Sequence, residues 1–209
     1  MELSDEFWER VRTGSAENEE ILRAAQSLRE SCDAPGQSRL IYALGQAGAI
    51  EQQTLIESFL SPSYDLATVW AALTVLVTDW GQSSPRINDT VRLLVEGADW
   101  DESAFMRELA VSLAGSIARN TGDLDMISTL LRLARGEIEV RPSVRDMRES
   151  ILDPEFWEME RHTLHDLAID SLAYVLGYSH QEIVGSRREA GEEREAWERT
   201  ILAKASDFR

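Results

Sequence analysis

Four stretches of this chain open in nearly the same way: QSRLIYALGQAG from Gln37, ATVWAALTVLVTDWG from Ala67, MRELAVSLAGSIARNTG from Met106 and LHDLAIDSLAYVLG from Leu164. Comparable columns hold Leu40, Val69, Ala110 and Ala168, then Ile41, Trp70, Val111 and Ile169, then Leu44, Leu73, Ala114 and Leu172. A loop and a second amphipathic helical pattern follow each stretch. A pair of helices cannot bury its apolar face alone, so recurring pairs are expected to stack side by side into a short α-solenoid. The expectation is an all-α chain of nine to eleven helices with no sheet, whose core includes Leu44, Leu73, Leu113 and Leu172.

The spacing of the columns, 29, 41 and 58 residues, divides the chain. Residues 1–36 form an N-terminal cap, with Ser15 as helix N-cap and Pro35-Gly36 as its stop. Residues 37–180 hold about four helix pairs, and residues 181–209 form a C-terminal capping helix with Trp197 and Ile201 beneath a charged face. The whole, 1–209, is read as one domain. In the second pair Ile87, Val91, Leu94 and Val95 form the apolar stripe. In the third, Leu124, Ile127, Leu131 and Ala134 do so, after a Gly122-Asp123 turn in which Asp123 caps the helix. The long last interval places an insertion at 136–161, with the fourth repeat beginning near Glu160 and the adjacent Phe156 and Trp157 exposed in a loop.

Charge narrows the partners. A formal charge of −17 disfavours nucleic acid and anionic membranes, which need clustered Lys and Arg, and favours a basic protein instead. The longest uncharged apolar stretch, Leu66 to Thr78, is shorter than the roughly 18 to 20 residues that cross a bilayer. Cys32 is alone, so neither an intramolecular disulfide nor a thiolate zinc cluster is expected. With an acidic start lacking a secretory pattern, a cytoplasmic location is expected.

Catalytic signatures are missing. There is no GxSxG, GxGxxG or GxxxxGK[ST], and Cys32 has no histidine near it in sequence. Glu158, Glu160, His162, His165 and Asp166 could place two histidines and a carboxylate on one helix face, a conceivable metal set. Ordinary helix-surface ion pairs explain the same spacing, so no metal, cofactor or catalytic residue is assigned, and the chain is read as non-enzymatic.

The segments Arg107 to Gly115, Ala43-Leu44-Gly45 with Gly48, and Ala168 to Ala173 resemble the HEAT-like repeat family of bacterial α-solenoids over residues 37 to 180. The second repeat departs from the family pattern at Trp70 and Thr74. The resemblance implies a right-handed solenoid of antiparallel helix pairs that binds protein. In such stacks the second helix of each pair lines the concave side, here presenting Glu57, Asp89, Arg92, Glu96, Asp125 and Arg132. Loops add Asp99, Trp100, Asp101, Glu102, Phe156 and Trp157. Small acidic proteins of this build look like immunity proteins that neutralise a toxin; a general scaffold or adaptor, or a HEAT-like enzyme or lyase accessory, are the alternatives. A glycosylase of this build would need a basic groove, against the charge.

Overall fold

The computed structural model describes residues 5–97, 104–138, 154–187 and 191–208. Among them every regular element is helical, eleven α-helices with one 3-10 turn and one π-helix, and no strand. None of these helices is long and apolar enough to cross a membrane. Contacts divide the chain into two compact units, Met1–Ile87 and Asn88–Arg209.

The first unit begins with α1 (Asp5–Arg12) and α2 (Asn18–Glu30). The N-cap of α2 is Glu17, not the expected Ser15, because Glu17 and Glu20 form a reciprocal capping box that satisfies two otherwise orphaned amides. Nor do Pro35 and Gly36 end α2. They sit in the first turn of α3 (Ala34–Gln46), where the missing proline N–H costs nothing, and Asp33 caps that helix by accepting from the Gly36 amide at 2.8 Å. A 3-10 turn at Ile50–Gln52 leads into α4 (Gln53–Glu57).

The next helix, α5 (Leu66–Leu73), is capped by Asp65 and continues as a π-helix over Thr74–Asp79. The Trp80 amide donates to the Val75 carbonyl at 3.0 Å, five residues back, which is the wider π spacing. Contacts between α3 and α5 come in the same order along both. The Ser38 and Thr68 hydroxyls lie 3.5 Å apart, and further along the Trp80 indole N–H donates to the Gly45 carbonyl at 3.2 Å. The two helices therefore run side by side in one direction. Leu28, Ile41, Leu44, Ile56, Leu73 and Leu76 are fully buried around them.

Helix α6 (Pro85–Glu96) carries the division between the units, and from Asn88 it belongs to the second. Its expected stripe holds: Ile87, Val91, Leu94 and Val95 are buried. Helices α7 (Ala104–Thr121) and α8 (Leu124–Ala134) are joined by the expected turn, with Gly122 at φ 69° and Asp123 accepting from the Met126 amide at 3.0 Å. A two-residue connection sends α8 back along α7. The apolar stripe of α8 differs from the expected one. Met126, Ile127, Leu130, Leu133 and Ala134 are buried, while Leu124 is 49% exposed. The sequence LDMISTLLRLA supports two overlapping stripes, and packing against both α7 and the next helix selects the one centred on Leu130.

That next helix, α9 (Pro154–Val175), begins well before Glu160, so the end of the 136–161 segment is helical rather than loop; residues 139–153 lie outside the described residues. Proline suits the first turn, and the apolar period resumes only at Leu164, which hid the start in the sequence. Helix α9 runs in the same direction as α7: the Ser171 hydroxyl donates to the Val111 carbonyl at 3.2 Å, and Arg119 donates to the Tyr174 carbonyl at 3.1 Å. Two helices follow, α10 (His180–Ser186), with a Ser179/Glu182 capping box, and α11 (Glu192–Ser206). Ile201 is fully buried under α11, and the Trp197 ring meets Tyr178 edge-on at 4.9 Å. Leu44, Leu73, Leu113 and Leu172 are all buried.

Candidate functional site

The residues proposed for recognition are best gathered on the outer side of α6 and α8. These helices are parallel neighbours in the second unit. At one end the Asn88 side-chain amide donates to Asp123 at 2.7 Å; at the other, Arg132 donates to Glu96 at 2.8 Å. Asp123 thus both caps α8 and fixes its register against α6. Roughly two turns of helix, about 12 Å, separate the two cross-links along α6.

Between them lies a polar surface with two apolar outcrops. Arg92 pairs with Asp89 at 2.7 Å within α6, and Asp125 is exposed in the first turn of α8, where the helix dipole favours its charge. Leu93 is 40% exposed and Leu124 nearly half. Neither leucine was assigned to the site from sequence, because runs such as Leu93-Leu94-Val95 offer no sign of which member turns outward. Among the described residues of this surface, four carboxylates, Asp89, Glu96, Asp123 and Asp125, accompany two guanidiniums, Arg92 and Arg132. Each arginine on this face already holds an acid. Pairs this exposed contribute about 0 to 1 kcal/mol, so exchanging their partners costs little.

The other proposed residues are elsewhere. Glu57 is in the first unit, half-buried at the end of α4, where it accepts from the Gln53 amide at 2.8 Å. Asp99, Trp100, Asp101 and Glu102 lie outside the described residues. The backbone of Phe156 and Trp157 belongs to the beginning of α9, correcting their placement in a loop; their side chains are outside the description, which in this helix starts at Leu164.

Two members of the histidine and carboxylate group on α9, His165 and Asp166, pair with α11. His165 faces Glu198 at 3.6 Å, and Asp166 accepts from Arg194 at 2.9 Å. Arg194 also holds Glu198 at 2.9 Å and the Ser186 hydroxyl at 3.2 Å, so it clasps α11 to α9 and α10. One turn on, Asp170, with a side chain 7% exposed, pairs with Arg187. Burial raises its carboxyl above the usual aspartate range despite that pairing. Among the described residues no three His, Cys, Asp or Glu side chains come together as a metal set. Glu158, Glu160 and His162 fall outside the described side chains.

A cleft of about 700 Å³ opens in the first unit, lined by Asp5, Trp8, Glu30, Cys32, Asp33 and Arg39 among others. The Arg39 guanidinium covers the Trp8 ring at 4.1 Å, and no histidine lines the cleft to serve Cys32 as a base. The Cys32 thiol is exposed. Compared with known proteins, the chain matches no family model, no curated protein and no solved structure.

Proposed function

We propose that this chain is a non-catalytic binding module, a short right-handed α-solenoid of HEAT-like helix pairs that recognises a basic protein partner. The observation that carries the reading is the pairing of like-ranked helices. Within the first unit α3 lies along α5, and within the second α6 lies along α8 and α7 along α9, each in the same direction. Stacking of two-helix repeats produces this order. Charge supports the choice of partner: −17 overall attracts a cationic surface and steers its approach.

A toxin domain with a positively charged active site would fit this chemistry, and the proposed biological role is that of an immunity protein in the bacterial cytoplasm. Affinity capture with the intact chain, followed by binding of the captured, purified protein across a salt series, tests it. The expected partner is a basic protein whose association slows steeply with salt and whose own activity stops on binding. A neutral or acidic partner bound without salt dependence would refute the recognition mode; an active basic partner in the complex would refute the immunity role.

A further inference from the structure

We propose that Arg132 is an internal competitor for the partner's cation: its guanidinium holds Glu96 and opposes the docking of a basic side chain there. The inference rests on the acidic-recognition reading above and specifies how that site is controlled.

Of the described carboxylates on the α6/α8 face, Glu96 is held from the neighbouring helix, whereas Asp89 pairs with Arg92 three residues along its own helix. The side chain of Glu96 is 30% exposed against 61% for Asp89, so less water screens it and a cation gains more there. The Arg132 side chain is 47% exposed and can turn further into solvent. The Asn88 to Asp123 hydrogen bond and the buried stripes of both helices fix their register. Glu96 therefore keeps its place when Arg132 leaves. A partner arginine offers Glu96 the same planar donors that Arg132 supplies, so this one exchange gives almost nothing net. Binding becomes favourable only when the partner adds further contacts, at Asp89, Asp125 or the exposed leucines. The internal pair thus discounts isolated cations and selects an extended basic surface.

The test uses the full chain and a capped tetra-arginine peptide, titrated by calorimetry at low and moderate salt. Arg132→Gln is expected to tighten binding roughly two- to fivefold, the worth of one exposed ion pair. Arg199→Gln is the control. Arg199 pairs with Glu195 within α11, so its loss adds the same negative charge without freeing Glu96. The gain should exceed that of the control and vanish when Glu96→Gln is added. Equal gains in the two arginine variants, or a gain that survives Glu96→Gln, would overturn the competitor assignment while leaving the recognition reading standing. If neither the unmodified chain nor Arg132→Gln binds the peptide in a salt-sensitive way, the recognition reading falls and this assignment with it. Circular dichroism establishes that each variant retains its helices.

Discussion

The indole N–H of Trp80 donates to the carbonyl of Gly45 across 3.2 Å, joining the end of the π-helix to the last turn of α3. That approach is possible because residue 45 has no side chain. A Cβ there would lie 2.5 Å from one methyl of Val75 and 3.0 Å from the other. Val75 is fully buried and β-branched, so it has little freedom to turn aside. Gly45→Ala should destabilise the protein by about 1 to 3 kcal/mol through overpacking, despite the better helix propensity of alanine. Urea unfolding measures it. An unchanged or raised midpoint would mean that α3 and the π-helix are not held as closely as described.

Asp123 does two jobs. Its carboxylate caps α8 through the Met126 amide and accepts from Asn88 on α6. Asp123→Ala should cost roughly 1 to 2 kcal/mol, near the upper end for a lost cap because a second hydrogen bond goes with it. Asp123→Asn retains an acceptor oxygen and should recover most of the loss. Thermal melts of the two variants compare them directly; equal losses would exclude the cap as the main contribution.

The pairing of Asp170 with Arg187 should show itself through pH. Burial raises the folded-state pKa of Asp170 above its unfolded value, with Arg187 partly offsetting the shift. The folded state then holds this proton more tightly than the unfolded one, so the contribution of Asp170 falls as pH rises through the raised pKa and is regained on acidification. Glu9, Glu20 and Glu182 are shifted downward by Arg12, Arg10 and Ser179 respectively, and they act in the opposite sense, losing their contribution as pH falls. Arg187→Gln leaves a buried carboxylate without its cation and should cost about 1 to 3 kcal/mol at neutral pH, less in mild acid. Asp170→Asn in the same background should abolish that pH dependence. Denaturant midpoints at neutral and mildly acid pH decide, and a penalty that grows on acidification would contradict the direction of the shift.

The pattern of small and aliphatic columns made the helices legible because burial repeats with the helical period: Leu44, Leu73, Leu113 and Leu172 all sit in the core. Local signals served where a single residue dominates, as at Gly122-Asp123. They misled where two compete. Ser15 is the better intrinsic cap, yet the reciprocal Glu17 and Glu20 bonds win. In α8 the sequence allowed two stripes, and only the neighbouring helices chose between Leu124 and Leu130. For the site, sequence supplied its acids and its arginines but not their pairing. The hydrogen bond from Arg132 to Glu96 spans 36 positions, and no local pattern encodes it.

The last prediction separates approach from retention. Long-range charge acts before contact, so neutralising Asp89, Glu96, Asp99 and Asp101 together should lower the association rate with a basic partner and flatten its dependence on salt. Dissociation should change less, because Asp89 and Glu96 already have internal cations and return to them when the partner leaves. An aromatic anchor acts in the opposite way. Trp157→Ala should mainly raise the dissociation rate, since desolvated aromatic contacts hold a docked partner but steer nothing. Surface plasmon resonance with the captured partner across a salt series resolves both rates. If the charge variants leave association and its salt slope unchanged, the α6/α8 face is not where encounter begins, and recognition belongs to another surface such as the acidic cleft beside Trp8 and Arg39.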